Sequence, residues 1–342
     1  MAKVCLINNL YGDSAVGGAE TVVQARALEY KKKGDKVIII TTKANNTPKV
    51  EKSDENGIVI YKVWIPNIFY YKDLNKHGFV LKLIWHFIDV FNFAGARIIN
   101  KILVEEKPDV VETHNLMGVG YQFGVETKRV HYLHDVQLVE PSGVLSWDHE
   151  KDSIWQRIYS GIMKRKFRNV DEVISPSEFL KYFYEGREFF KSSEFTVFSS
   201  ELNKSEIKKE NNKFLFVGSL VEHKGVKILM QAWEKVSGDK ELHIVGDGVL
   251  REEVEKWASE KENVKVYGRL EGKDLENIYK KCDTLIFPSI CIENNPTVIH
   301  EAHEYGLKVI ASDTGGVGEI ADEGDILVEP GSVEELVRHL NI

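Results

Sequence analysis

The sequence predicts an α/β protein made of two doubly wound, mostly parallel sheets. Three observations carry that expectation. Short apolar runs without alternation recur along the chain (Val4–Ile7, Val37–Ile40, Asp109–Glu112, Val130–Leu133, Glu172–Ile174), and such runs suit strands buried on both faces. Helical periodicity fills the intervals between them. A polar, weakly periodic stretch from Phe195 to Lys213 then interrupts the series, and a second strand–helix series begins. At roughly 100–200 residues per domain, 342 residues allow about two domains. Residues 1–199 and 200–342 are read as those two domains.

Taken in order, Met1–Asn9 has a short apolar run without a small-residue cleavage site, so it reads as a first strand and not a leader. Glu20 to Lys33 has helical spacing (Val22, Val23, Ala27, Leu28) and is closed by Gly34. Gly78 to Glu106 reads as one long helix, with Pro108 as its stop. Its most apolar part, Phe79 to Ile99, contains Lys82, His86, Asp89 and Asn92 on one stripe, which makes it amphipathic and not a membrane span. Trp155 to Arg168 combines an apolar stripe with the basic run Lys164-Arg165-Lys166-Phe167-Arg168. In the second half, strands at Phe214–Val217, Leu242–Val245, Val264–Val266, Thr284–Phe287 and Lys308–Ala311 alternate with helices from Val226, Leu250, Lys273 and Thr297. Right-handed crossovers make each half a Rossmann-like domain, and the carboxyl ends of both sheets are expected to face one cleft.

Composition narrows the function. Cys5, Cys282 and Cys291 are too few for a disulfide framework or a zinc module, so a reducing, cytoplasmic compartment is expected. Residues 1–199 hold 27 Lys and Arg against 25 Asp and Glu, and the remainder holds 18 against 28, which recovers the net −8. An acidic C-terminal half argues against a nucleic-acid partner, which needs a basic footprint.

Three motifs point to chemistry. Gly17-Gly18-Ala19-Glu20 opens a helix after the first strand, where glycines let a phosphate approach the free N–H groups of a helix start. It is not GxGxxG, and neither is Gly246-Asp247-Gly248, so a dinucleotide fingerprint is unsupported. Val217-Gly218-Ser219 leads to Lys224-Gly225 at another helix start, where the lysine's unfavourable position makes sense if an anion is its partner. The most specific motif follows Phe287-Pro288-Ser289: Glu293 in a loop, Asn295-Pro296-Thr297-Val298 at a helix start, and Glu301 on that helix's second turn. A carboxylate there accepts sugar hydroxyls, and bare helix N–H groups take a diphosphate. Gly315-Gly316-Val317-Gly318-Glu319 adds a further glycine-rich strand end.

In these features the sequence resembles glycosyltransferase family 4, from residue 1 to about residue 339. The motifs in order are Gly17-Gly18, His134-Asp135, Lys224-Gly225, and Glu293 with Glu301-Ala302 and Gly306-Leu307-Lys308-Val309-Ile310-Ala311. The resemblance implies a GT-B fold and retaining transfer of a sugar from a nucleotide diphosphate, UDP- or GDP-linked, to an acceptor hydroxyl. It implies that Glu301 binds the nucleotide ribose and Glu293 the donor sugar. Asn295, Pro296, Thr297 and Val298 hold sugar hydroxyls and phosphate through the main chain. Lys224 neutralises the departing diphosphate, with Gly17 and Gly18 facing it from the other domain. His134 lies by the transferred sugar, and Gly268, Arg269 and Leu270 line the base. The family usually has an arginine where this chain has Ser219. Losing that charge-assisted contact weakens donor binding by roughly 1–3 kcal/mol unless a group such as Arg269 replaces it. The family also continues with helices beyond the point matching Ile342, so looser closure is expected.

His114, Asn115 and Ser177, at strand ends of the first half, are read as the acceptor side. With Lys224 and a helix start serving the leaving group, and no Asp-x-Asp at a strand end, no metal or other cofactor is expected. His300 and His303 lack a third ligand nearby in sequence. The two apolar or basic helices of the first half fit peripheral contact with an anionic membrane and a carbohydrate or lipid-linked acceptor, placing the protein at the inner face of the cell membrane in polysaccharide or glycolipid synthesis. Two other readings compete: a GT-B-fold nucleotide-sugar epimerase, which needs no acceptor, and a non-catalytic glycosyltransferase-like subunit, which needs neither Lys224 nor Glu301.

Overall fold

In the computed structural model, which describes residues 1–12, 18–119, 124, 126–198 and 212–341, the chain divides into two units with a sheet each. The first comprises residues 1–141, 153–176 and 181–198, and residues 142–152 and 177–180 group with the second. Gly17 lies outside the described residues, as does the expected boundary at 199/200.

The first sheet contains β1 (Lys3–Ile7), β2 (Lys36–Thr42), β3 (Val50–Glu55), β4 (Ile58–Val63), β5 (Val110–Thr113), β6 (Lys128–Tyr132), β7 (Glu172–Ser175) and β8 (Glu194–Val197). Their spatial order is β3-β4-β2-β1-β5-β6-β7-β8, and only the β3–β4 pair is antiparallel. The central strands are apolar on both faces because helices cover both, and Leu6, Ile7 and Ile39 are fully buried. The strand order reverses direction between β1 and β5, which is where open α/β sheets place ligands. There α1 (Gly18–Lys32) begins, and the two strand ends are tied: Asn9 N–H donates to the Asn115 carbonyl, and Asn115 N–H to Asn8 Oδ1.

The long helix expected over Gly78–Glu106 is two helices, α2 (Phe79–Val90) and α3 (Phe93–Glu106). Asn92 separates them because its side chain accepts from Gly95 N–H and caps the second helix. The polar stripe of α2 also turns inward. Asp89 is buried and accepts from Gly118 N–H, Trp85 is buried, and the face left outside is apolar. Two more helices complete the unit, α4 (Ile154–Lys166), which opens with a Ser153/Gln156 capping box, and α5 (Glu178–Glu185).

The second sheet contains β9 (Lys213–Val217), β10 (Glu241–Val245), β11 (Val264–Val266), β12 (Thr284–Phe287), β13 (Lys308–Ser312) and β14 (Ile326–Val328). All its pairings are parallel, in the order β11-β10-β9-β12-β13-β14. Its helices are α6 (Val226–Trp233), α7 (Arg251–Ser259), α8 (Gly272–Lys281), α9 (Thr297–Glu304), α10 (Val317–Ile320) and α11 (Val333–Leu340). Alternate strand residues feed two cores, one on each face: Phe214, Ile244 and Ile286 on one, Leu215, Leu285 and Val309 on the other. Here the switch point falls between β9 and β12, so the loops after those strands carry the site.

Candidate functional site

In the second unit the site is built on close backbone approaches. After β9 the chain makes a short 3₁₀ turn, Glu222–Lys224, that ends at Gly225 with φ +73°. A Cβ on Gly225 would stand 1.7 Å from the Pro288 carbonyl oxygen, so only glycine lets the Lys224 turn lie against the loop after β12. Lys224 Nζ thereby meets Glu293 Oε1 at 2.6 Å. Ser289 Oγ donates to the same oxygen at 2.7 Å, and Cys291 Sγ lies 3.6 Å from it. The Lys224 side chain is 29% exposed and that of Glu293 10%. Burial works against the Lys224 charge, but the Glu293 carboxylate outweighs it and raises the ammonium pKa. Burial pushes the Cys291 thiol up to about 11, so it stays a neutral neighbour.

The Glu293 loop is clamped from both sides. Gly316 N–H donates to the Glu293 carbonyl, and Cβ atoms on Gly315 and Gly316 would fall 2.0 and 2.2 Å from the carbonyls of Glu293 and Asn294. On its other edge Ser146 forms an antiparallel bridge with Cys291, and Ile292 N–H donates to the Leu145 carbonyl. The segment 142–152 is therefore part of what holds Glu293, and no motif in the sequence marks it.

Helix α9 begins just beyond this loop. Its N-cap is Pro296, which offers no capping side chain, so the first-turn N–H groups at Thr297 and Val298 have no side-chain cap. Thr297 is exposed, while Val298 packs on the core. Glu301 sits on the second turn, and Tyr279 of α8 donates to its Oε2 at 2.7 Å. Burial raises the Glu301 pKa and the tyrosine bond partly opposes this. Tyr305 stacks on Tyr279 at 5.4 Å and fixes the ring. His300 pairs with Asn295 and His303 with Asp325, so the two histidines point to different partners.

At the ends of β10 and β11, Gly246 approaches the Gly218 carbonyl so closely that a Cβ would lie 1.8 Å from it. Gly268 takes φ +69° beneath the Arg251 guanidinium. Ser219 is exposed, Leu270 packs on the core, and the exposed Arg269 is paired with Glu271 at 2.8 Å.

In the first unit, Gly18 opens α1 with space around it, since a Cβ there would meet nothing within 4 Å. After β5 and β6 lies a histidine pair: His114 Nδ1 is 3.0 Å from His134 Nε2, and His114 Nε2 is 3.1 Å from Glu112 Oε1. Arg26 of α1 binds both oxygens of the fully buried Glu112, at 3.0 and 2.7 Å, and Tyr30 donates to one of them. Burial alone would raise the Glu112 pKa, but bonds from His114 and Arg26 hold it far below the usual range. Glu112 is thus an ionised anchor that orients His114 and, through it, His134. Tyr132 stacks on both rings. Burial and the neighbouring histidines depress the His134 pKa well below its usual value, which favours a neutral ring. Burial raises Asp135 to about 6. Asn115 is held by Asn8, as described. Ser177, which groups with the second unit, is buried, and its Oγ accepts from Leu180 N–H at the start of α5.

Sequence reasoning missed Ser289, Cys291, Tyr279, Arg26 and Glu112. The signal for Glu112 was present: a carboxylate at the end of an apolar strand run requires a cationic partner.

Two family models match the chain, one described as Glycosyltransferase Family 4 over residues 16–198 and one as Glycosyl transferases group 1 over residues 197–342. The chain is 27% identical over 331 residues to an uncharacterized 42.6 kDa protein in the cps region of Klebsiella pneumoniae, covering 93% of this chain and 87% of that protein. Among solved structures it resembles sucrose-phosphate synthase from Thermosynechococcus elongatus with a TM-score of 0.72 at 18% identity, covering 99% of this chain and 88% of that one. It also resembles the Anabaena protein HepE, crystallised in complex with UDP and glucose, with a TM-score of 0.65 at 16% identity, covering 100% and 89%. With both halves matched and the two parallel sheets in place, the chain belongs to glycosyltransferase family 4 and has the GT-B fold.

Proposed function

We propose that the protein transfers a sugar, with retention, from a UDP- or GDP-sugar to an acceptor hydroxyl in cell-surface polysaccharide or glycolipid synthesis. The observation that carries this reading is the Lys224–Glu293 pair beside the uncapped start of α9, with Glu301 held by Tyr279 one turn further on. A cation and uncapped helix amides can neutralise a departing diphosphate, and two carboxylates can accept hydroxyls.

In this reading Lys224 and the N–H groups from Asn295 to Val298 take the diphosphate, Glu301 the ribose and Glu293 the donor sugar. Gly268, Arg269 and Leu270 line the base, with Ser219 nearby. Arg269 is committed to Glu271 and exposed, so replacing the missing arginine requires that pair to open. Gly17, Gly18 and His134 serve the donor from the first unit, and His114, Asn115 and Ser177 the acceptor side. The chemistry runs without a metal, since the leaving charge has a protein cation to receive it. The acceptor, carbohydrate or lipid-linked, is met at the inner face of the cell membrane. The relative from a Klebsiella cps region and the HepE complex with UDP and glucose support the acceptor and donor classes.

The test is thermal-shift screening of UDP- and GDP-sugars, followed by product analysis of the stabilising donor with and without acceptor glycans, with and without EDTA. Transfer that survives EDTA and is lost in Lys224→Met supports the reading. Conversion of the donor sugar without acceptor would establish an epimerase instead. Loss of transfer with EDTA would refute the metal-free step.

A further inference from the structure

Glu112 stands where a strand of a doubly covered sheet is ordinarily apolar. It follows Val110 and Val111 on β5, is fully buried, and pairs with Arg26 of α1 at 2.7 Å. Apolar side chains of similar volume are often as stabilising as a buried ion pair, or more so. Stability therefore does not account for the charges, and the group they reach beyond themselves does: the His114–His134 pair.

The carboxylate fixes the hydrogens along this chain of groups. Glu112 accepts from Arg26 Nε and Nη2 at 3.0 and 2.7 Å and from the Tyr30 hydroxyl at 2.6 Å, and an ionised carboxylate can only accept. His114 Nε2, 3.1 Å from Glu112 Oε1, must then carry a hydrogen. Arg26 already neutralises Glu112, and Glu29, the other acidic contact of Arg26, is itself paired with Lys33. Glu112 thus has no second charge with which to hold an imidazolium. Of the other groups near the rings, His131 bonds to Thr113 and is kept neutral by burial, at about 3, and Asp135 accepts from Gln137 N–H. His114 is accordingly neutral, with a bare Nδ1. The nitrogen 3.0 Å from it, His134 Nε2, supplies the hydrogen of that contact, which leaves His134 Nδ1 as an acceptor. Tyr132 stacks on both rings, at 5.4 and 4.9 Å, and holds them against flipping.

We propose that Glu112 and Arg26 are positioning residues that act through His114 to fix His134 as the neutral tautomer protonated on Nε2, so that its Nδ1 accepts a sugar hydroxyl and not a phosphate oxygen. A bare ring nitrogen takes a hydroxyl hydrogen and repels an anionic oxygen. The inference rests on the reading that His134 serves the donor sugar. It sharpens that reading by leaving the diphosphate to other groups.

The experiment is nitrogen-15 NMR of the imidazole rings in the whole protein at about pH 7.5, without donor or acceptor. Signals are assigned by their loss in His114→Gln and His134→Gln. Both rings are expected to be neutral and protonated on Nε2. In Glu112→Gln the amide oxygen should take the place of Oε2, where Arg26 and Tyr30 make the two shorter bonds, and the amide nitrogen then donates to His114 Nε2. Both tautomers should invert to Nδ1–H. Transfer should fall about tenfold, as for the loss of one buried hydrogen bond, with nucleotide affinity unchanged. An imidazolium, or an Nδ1–H tautomer at His134 of the natural protein, overturns the proposal whether or not the Glu112 variant folds. So do tautomers that stay on Nε2 in a folded Glu112→Gln, and so do inverted tautomers with full transfer. The tautomers are read in the free protein, so their failure leaves the transfer reading standing, and a failure of transfer leaves the tautomer result standing.

Discussion

Glu293→Gln separates two roles of one carboxylate. In the structure Lys224 is already engaged, its Nζ 2.6 Å from Glu293 Oε1. A diphosphate that takes Lys224 must therefore share it with a negative charge. A phosphate on the lysine would stand roughly 5 Å from that carboxylate, where repulsion is about 1 kcal/mol at the dielectric of water and about 3 kcal/mol at an effective value near 20. Lys224 is 29% exposed and Glu293 10%, so the interaction is only partly screened and about 1 kcal/mol, about fivefold, is its lower bound. Glutamine keeps an oxygen to accept the Ser289 hydroxyl at the same place, so the loop should hold its shape. The variant should bind UDP or GDP about five- to tenfold more tightly than the natural protein, while transfer falls because the donor sugar loses its carboxylate. Titration calorimetry reads the first effect, and a product assay reads the second. The gain should shrink as salt is raised, and the affinity of the uncharged nucleoside should not move. Diphosphate affinity that is unchanged or weaker would refute the placement of the leaving group on Lys224.

Four other substitutions test the scaffold. Gly225→Ala combines φ +73° with a Cβ 1.7 Å from the Pro288 carbonyl, whereas Gly238→Ala has φ +89° and open space. The first should cost about 2–4 kcal/mol in denaturant unfolding and the second about 1 kcal/mol, and equal losses would remove the argument for close approach. Tyr279→Phe deletes the bond that opposes the burial-driven rise of the Glu301 pKa, so nucleotide affinity should fall about threefold at alkaline pH, and the loss should grow as pH is lowered. A pH-independent loss in calorimetry would count against that role. Burial raises Asp89 from 3.8 to about 7, partly opposed by Gly118 N–H and Lys166. Its contribution to stability is full below about pH 4 and is lost as pH rises through about 7. Asp89→Asn should therefore gain roughly 2–4 kcal/mol at pH 8 relative to pH 4 in melting experiments, and a gap that does not widen with pH would contradict it.

What could be read from the residues was whatever local period and glycine chemistry determine. Unalternating runs such as Val37–Ile40 became central strands because both of their faces are covered, and Gly225 stands where φ is positive and the neighbouring backbone is closest. The β3–β4 hairpin escaped because Val50–Glu55 is a mostly polar edge whose pairing is set by β4 and not by its own pattern. The partners that hold the site escaped for a different reason. Glu293 meets Ser289 and Cys291 only because the loop after β12 folds back, and that loop, through Cys291 and Ile292, meets residues 142–152 across more than a hundred positions of chain. No one-dimensional period encodes that distance.

Helix α2 shows the sharpest limit. A stripe of Lys82, His86 and Asp89 opposite apolar residues is the pattern of a helix that buries its apolar side. Yet Trp85 and Asp89 face the protein while Leu83 and Phe87 face outward. Periodicity establishes that a helix has two unlike faces, and packing decides which of them meets the core. Here the Gly118 amide offers Asp89 a hydrogen bond inside, and the indole N–H of Trp85 donates to the Phe69 carbonyl. Those two bonds lower the cost of turning the polar stripe inward. The residual cost is the apolar stripe of Val80, Leu83 and Phe87 that this choice leaves exposed.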